Sequence, residues 1–297
     1  MQDDMQDRGR AQGFGILLAL WAVVIGGVAF SIYAGQRWWM PELAAAHGER
    51  VDAVFRILLT LMAIVFVLVQ AALGFFAWQS GRREKAIHWH DNPRLEITWT
   101  VIPAVVLLGM TIFAGVVWAE MHAPVPDDAL TVEVTAEQFA WRIRYPGPDG
   151  AFGRTDPGLI SRDNPVGVVP EDPNGLDDVV LLNELRLPVD RPVRILLRSK
   201  EVLHSFFVPE FRIKQDAVPG RTIEVTFQPT RVGDMEIACA ELCGVGHFAM
   251  RGDLKVMPQD EFDQWLADLY AGEADGESGE AAGEAVEAGE SGESAGE

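Results

Sequence analysis

Three stretches of this chain run for about 20 residues or more without a charged side chain: Phe14–Ala34, Ile57–Trp78 and Ile97–Ala119. A helix needs about 20 apolar residues to cross a bilayer core, so each stretch predicts a transmembrane helix. Pro103 falls in the first turns of the third, where its missing N–H does little harm. Gln70, the strongly polar residue of the second, reads as a contact between helices. After residue 120 the pattern changes. Leu130–Thr135, Phe139–Tyr145, Val179–Leu187, Val193–Arg198, Thr222–Phe227, Met235–Ala238 and Asp253–Val256 alternate apolar with polar positions and are rich in Val, Ile and Thr. With Pro and Gly between them, they predict the short strands of a sandwich or barrel. Pro146–Asp178 is dense in Pro, Gly, Asp and Asn and reads as a long surface excursion. Pro258–Tyr270 sets Phe262, Trp265, Leu266 and Leu269 at helical spacing, which predicts a closing amphipathic helix.

The chain therefore divides into an N-terminal segment 1–50 with helix 14–34, a helical hairpin 51–121, a β domain 122–270 and an acidic tail 271–297. From Ala271 onward only Gly, Glu, Ala, Ser, one Asp and one Val occur. Such a segment buries too little apolar surface to offset its ordering entropy, so disorder is expected there.

Basic residues set the expected orientation. Arg8 and Arg10 precede the first span, and Arg82, Arg83, Lys85 and Arg94 lie between the second and third; Arg37, Arg50 and Arg56 lie on the other side. The β domain is then extracytoplasmic, on the periplasmic side of a bacterial inner membrane. The first apolar run can also be read as a signal peptide, with Ala44-Ala45-Ala46 as its cleavage-like site. Its 21 residues exceed an h-region of about 7–15, which favours a retained helix anchored by Trp38 and Trp39. The net charge of −20 divides into −1 over residues 1–120, −10 over 121–270 and −9 over the tail. This balance argues against nucleic acid and suits a basic partner; solubility or adaptation to high salt explains the total as simply.

The chemistry concentrates in one loop. Both cysteines of the chain lie in Cys239-Ala-Glu-Leu-Cys243-Gly-Val-Gly-His247-Phe-Ala-Met250. A Cys pair in an extracytoplasmic domain is commonly a disulfide. Thiolate, imidazole and thioether are also the ligands of copper electron-transfer sites, which need one Cys, one His and a weak axial Met. The second Cys lets each thiolate bridge two metals, and His204, in Val202-Leu203-His204-Ser205-Phe206, supplies a second imidazole. Together these residues favour copper over the disulfide. His47, His88, His90 and His122 lie near membrane boundaries without a Cys partner and read as interfacial polar groups. The sequence contains no Walker loop, Cys-x-x-Cys-His haem attachment or serine-hydrolase elbow.

Several motifs recur in the order of one family. They are Leu95-Glu96-Ile97-Thr98-Trp99-Thr100-Val101-Ile102-Pro103, Phe139-Ala140-Trp141, Val202-Leu203-His204-Ser205, Lys214-Gln215-Asp216-Ala217-Val218-Pro219-Gly220-Arg221 and the Cys/His/Met loop. From about residue 50 to 270 the chain resembles subunit II of haem-copper oxidases of the cytochrome c oxidase type. The resemblance implies a cupredoxin-like β-barrel on a transmembrane hairpin, holding two copper ions as a binuclear CuA centre. Cys239 and Cys243 would bridge the coppers, His204 and His247 would each cap one, and Met250 and the Glu241 carbonyl would be weak ligands. The Glu241 side chain would reach a Mg²⁺ or Mn²⁺ ion at the boundary with subunit I. Glu96 would match a carboxylate at the mouth of a proton path into subunit I. Electrons would arrive from cytochrome c or another small redox donor through an aromatic surface. This chain has Phe139 where the family usually has Trp, while Trp141 keeps its place. Glu201 replaces the usual Asp, and Lys200 removes negative charge from the surface a basic donor would use. The implied partners are haem-containing subunit I, other oxidase subunits and the donor. Subunit I reduces dioxygen and pumps protons, which leaves an electron relay to this chain.

Two other functions fit the same residues. A nitric oxide reductase subunit can carry a related copper domain, and Glu96 leans towards the oxidase. A membrane-tethered copper carrier would need neither Glu96 nor a large partner. Nitrous oxide reductase needs a second catalytic domain for which this chain has no room, and quinol oxidase subunits lack the copper ligands.

Overall fold

The computed structural model describes residues 2–80 and 91–274. Two compact units emerge: Met1–Pro41 with Arg50–Glu120, and Glu42–Glu49 with Met121–Glu297. The helical unit holds α1 (Gln2–Trp38), α2 (Gly48–Ser80) and α3 (Pro93–Met121). All three are long and apolar enough to cross a membrane, with spans at Leu18–Gly35, Gly48–Ser80 and Pro93–Met121. Asn92 starts α3 by accepting a hydrogen bond from Leu95 N–H at 3.2 Å, which satisfies one of the donors that a helix start leaves open. Arg50, in the first turn of α2, pairs with Glu120 at the end of α3, so those helix ends lie at one level. Gln70 lines a cavity of about 40 Å³ with Leu20, Trp21 and Val24 of α1, the interhelical setting its polarity suggests. His88, His90 and the basic run Arg82, Arg83 and Lys85 lie outside the described residues.

The other unit is built on two five-stranded sheets. In the first, β1 (Leu130–Glu137) is flanked by β2 (Ala140–Tyr145) and β5 (Val193–Ser199), with β3 (Val179–Leu182) and β8 (Ile223–Phe227) at the edges. The second runs β4 (Glu184–Pro188), β10 (Arg251–Met257), β9 (Gly233–Cys239), β6 (His204–Val208) and β7 (Ile213–Ala217). β1 pairs parallel with β5, β10 pairs parallel with β4, and the remaining pairs are antiparallel. Strand alternation sends Val193, Ile195 and Leu197 of β5, and Gly252, Leu254 and Val256 of β10, to buried positions. The core between the sheets also takes in Phe206, Val208, Ile237 and Leu187. This is the cupredoxin-like barrel expected. The closing helix α4 (Gln259–Ala274) packs Phe262 into the same core.

Three local expectations change. Val179–Leu187, expected as one strand, breaks at Asn183, whose φ is +56°. Asn183 Oδ1 accepts Trp141 N–H at 2.8 Å, its own N–H donates to the Trp141 carbonyl at 2.8 Å, and its carbonyl accepts Asp253 N–H at 2.7 Å. The chain thereby passes from one sheet to the other. Helical structure continues through Ala274, four residues into the segment expected to be disordered; residues 275–297 lie outside the described ones. Glu42–Glu49, expected within an N-terminal segment, instead packs in the β unit. Ala44 N–H donates to the Glu210 carbonyl at 2.9 Å, Thr230 N–H to the Ala44 carbonyl at 2.9 Å and Ala46 N–H to the Gln228 carbonyl at 3.0 Å. Ala44 and Ala45 are buried as core residues, and His47, expected at the membrane interface, is half-buried there with a ring hydrogen bond to the Phe211 backbone.

The excursion Pro146–Asp178 covers the outer face of β1. Arg144, wholly buried, ion-pairs with Asp178 and with Glu133 at 3.2 Å, and Glu133 also takes Arg198 at 3.1 Å. Asp178 accepts the Gly153 N–H at 2.9 Å. This cover leaves both faces of β1 largely buried.

Candidate metal centre

Strand ends deliver His204, Cys239 and Met250, while Cys243 and His247 sit in the loop between β9 and β10. β6 opens with His204, and β9 closes with Cys239. β10 begins at Arg251, directly after Met250. Between them the loop folds back on itself: Cys239 N–H donates to the Met250 carbonyl at 3.2 Å, and Ala240 N–H to the Ser205 carbonyl at 3.0 Å. A single 3₁₀ turn, His247–Ala249, completes it. These bonds pair backbone groups at the loop's two ends and bring Cys239 back beside Met250.

The distances converge on one point. Cys239 Sγ and Cys243 Sγ are 3.8 Å apart, and both thiols are free. His204 Nδ1 lies 3.8 Å from Cys239 Sγ, and His247 Nδ1 lies 3.8 Å from Cys243 Sγ. Met250 Sδ is 3.8 Å from Cys243 Sγ, and the Glu241 carbonyl oxygen is 3.2 Å from Cys239 Sγ. The ligand atoms of His204, Cys239 and Cys243 all lie within 4.8 Å of one another. Metal–thiolate bonds of about 2.3 Å, as zinc makes, let one ion span both sulfurs, so this donor set fits soft metal ions held between two thiolates.

Burial tunes these groups. His204 and Met250 are almost wholly buried. Burial, with the nearby His247 as a smaller cause, lowers the His204 pKa below its usual value and keeps the imidazole neutral and able to ligate. The Cys243 thiol is pushed up to about 11, first by burial and then by the neighbouring Cys239. A metal taken up here must therefore displace thiol protons.

The aromatic residues expected to meet the donor occupy different depths. Trp141 is fully buried, edge-on to Phe206 at a centroid distance of 5.7 Å and to His204 at 6.4 Å. Phe139 is half-buried and lies against the loop glycines. Around the loop, Leu242, Val245 and Phe248 are strongly exposed, and Val245 is 91% accessible. Glu241 is partly buried, Lys200 pairs with Glu137, and Glu201 is exposed. Gln138, which sequence reasoning passed over, donates from Nε2 to the Cys243 carbonyl and braces the loop; its place beside Phe139 was the available signal. Glu96 stands in the first turn of α3, in the helical unit, and is not part of this cluster.

A family model described as cytochrome c oxidase subunit II, periplasmic domain, matches residues 163–256, and one for the transmembrane domain of that subunit matches residues 33–114. An alternative cytochrome c oxidase subunit 2 of Bradyrhizobium diazoefficiens is 36% identical over 84% of this chain and 90% of its own length. Cytochrome c oxidase subunit 2 of Synechocystis is 28% identical over 85% of this chain and 82% of its own. The crystal structure of the periplasmic domain of subunit II of cytochrome oxidase of Bradyrhizobium japonicum shares 30% identity, over 49% of this chain and 96% of that one, with a TM-score of 0.36.

Proposed function

The chain belongs to the cytochrome c oxidase subunit II family, and we propose that it relays electrons from an extracytoplasmic donor to haem in subunit I for the reduction of dioxygen to water. It is a membrane-anchored subunit of a haem-copper oxidoreductase with a CuA-type domain. The observation that carries the relay is the pair of free thiols 3.8 Å apart, each with an imidazole at 3.8 Å. The ligands are His204, Cys239, Cys243, His247, Met250 and the Glu241 carbonyl. Two copper ions bound there supply a one-electron site whose charge change is shared between two metals.

The protein's part is to keep that site still and dry. Strand ends of one sheet fix His204, Cys239 and Met250, so little rearrangement accompanies a change of charge. Burial of His204 and Met250 keeps water from the inner side. Phe139 and the exposed Leu242, Val245 and Phe248 offer an apolar contact for a donor, cytochrome c or a similar small redox protein. Trp141 lies beneath them against His204. The Glu241 carboxylate is assigned to a Mg²⁺ at the subunit I boundary, and Glu96 to the mouth of a proton path. The β domain, with Glu42–Glu49 folded into it, faces the periplasmic side, a reading supported by the basic-residue balance of the loops. The domain division remains hairpin, β domain and tail, preceded by an added helix.

Rapid mixing of the reduced donor with the purified oxidase tests the relay. Changing His247→Asn should abolish haem reduction by the donor while leaving haem reduction by a small chemical reductant intact. Unchanged donor-driven haem reduction would remove the relay from this loop.

A further inference from the structure

The junction of α1 and α2 encloses a cavity that the relay leaves unexplained. Its volume is about 520 Å³, and its lining includes Arg37, Trp38, Trp39, Asp52, Phe55 and Arg56. Ligand sites occupy roughly 300–1,000 Å³, so the space is ample for a headgroup. The apolar span of α1 ends at Gly35, two residues before Arg37. The uncharged run of α2 begins at Ile57, directly after Arg56. Both guanidinium-bearing residues therefore stand where hydrocarbon gives way to the headgroup layer. Trp38 and Trp39 are 65% and 55% exposed, and Phe55 is 47% exposed. Two guanidinium groups and one carboxylate, Asp52, leave the lining net positive.

These groups sort by what they recognise. A guanidinium takes a phosphate through paired N–H donors. Indole rings favour the membrane–water interface, where an apolar body and a polar N–H are both satisfied. A free anion in water would gain from the arginines alone and leave three exposed aromatic rings unexplained. A phosphate that carries acyl chains uses both sets, and basic pockets between transmembrane helices suit anionic head groups. The matched transmembrane region of the family starts at residue 33, so most of α1 precedes it, whereas the residues that line the cavity fall within it.

We propose that the α1–α2 junction binds one anionic phospholipid, its phosphate held by Arg37 and Arg56 and its glycerol and upper acyl carbons flanked by Trp38, Trp39 and Phe55. The lipid fills the seam between the added helix and the hairpin. The site requires only that α1 and α2 span the membrane, so it stands or falls apart from the copper relay.

Native mass spectrometry of the intact oxidase, released from nanodiscs of phosphatidylcholine doped with phosphatidylglycerol, measures the retained lipid. The wild type and an Arg50→Gln variant, whose lost charge lies nearer the start of α2 and outside the cavity, should each keep one phosphatidylglycerol bound to this chain. Arg37→Gln with Arg56→Gln should lower retention at least about tenfold, the scale set by removing two guanidinium charges near the membrane surface. Equal retention in that variant, equal loss in Arg50→Gln, or displacement by inorganic phosphate would each overturn the proposal. A second readout does not depend on the arginine variants folding. Brominated phosphatidylglycerol should quench tryptophan fluorescence more than brominated phosphatidylcholine, and Trp38→Phe with Trp39→Phe should remove the difference. Equal quenching by the two lipids would also overturn it.

Discussion

A methyl group added at Gly246 would lie 2.5 Å from the Phe139 ring, while the backbone there, at φ −93°, accepts any residue. Gly244 adds a backbone restriction, with φ +142° and a methyl group's place 2.8 Å from Gln138 Nε2. The metal loop thus fits Phe139 because two side chains are missing. Gly246→Ala should cost about 1–3 kcal/mol, the usual range for overpacking, and adding Phe139→Ala should recover most of it. Chemical denaturation of the two single variants and the double variant gives the coupling; additive losses would show that ring and loop are independent. The clustered side chains were legible, because two cysteines, two histidines and a methionine in one pattern stand out. Depth was not legible. Nothing in Phe139-Ala140-Trp141 tells that Trp141 turns wholly inward; that follows from the alternation of β2 and from Asn183 pairing with the Trp141 backbone.

At the scale of elements, Glu42–Glu49 joins the β unit by backbone hydrogen bonds with Ala44, Ala45 and His47 packed inward. Burial lowers the His47 pKa, an effect the Phe211 backbone hydrogen bond only partly offsets. The folded form therefore favours the neutral ring. Its contribution is present above the unfolded value of about 6.5 and is lost as the pH falls through the lower folded value. After correction for intrinsic rates, hydrogen exchange at Ala44, Ala46 and Thr230 should speed up below about pH 6.5 in the wild type and lose that dependence in His47→Gln. An unchanged pH slope in the variant would remove His47 from the linkage. The excursion hangs on another buried group: Arg144→Met would remove the ion-pair partner of Asp178, leave Glu133 with Arg198 alone, and should destabilise the domain by about 3–5 kcal/mol, read as a fall in unfolding midpoint. Seven strand regions were visible from alternation. β6 and β7 lie outside those regions, β7 because Ile-Lys-Gln-Asp-Ala has the polarity of an edge strand. Long-range pairings such as Arg144 with Asp178, 34 residues apart, leave no local trace.

For the whole molecule, the three helices were legible because a bilayer tolerates so few charges, and orientation was legible only as a bias of Lys and Arg. Ser161, exposed on the excursion, gives a direct check. In Ser161→Cys, a membrane-impermeant maleimide should label intact spheroplasts beyond the wild-type background; labelling only after lysis would reverse the orientation. The fold of the β unit also bears on how the copper site is best studied. A fragment starting at residue 122 would lack the docked segment Glu42–Glu49, so the full chain is the proper sample. The central claim is that this one loop holds two coppers between two thiolates. Electron paramagnetic resonance on the copper-loaded full chain tests it most directly. Two coppers per chain should be found, with one unpaired electron coupled equally to both nuclei and the signal lost in Cys239→Ser. A single-copper spectrum, or the same signal surviving in Cys239→Ser, would contradict it.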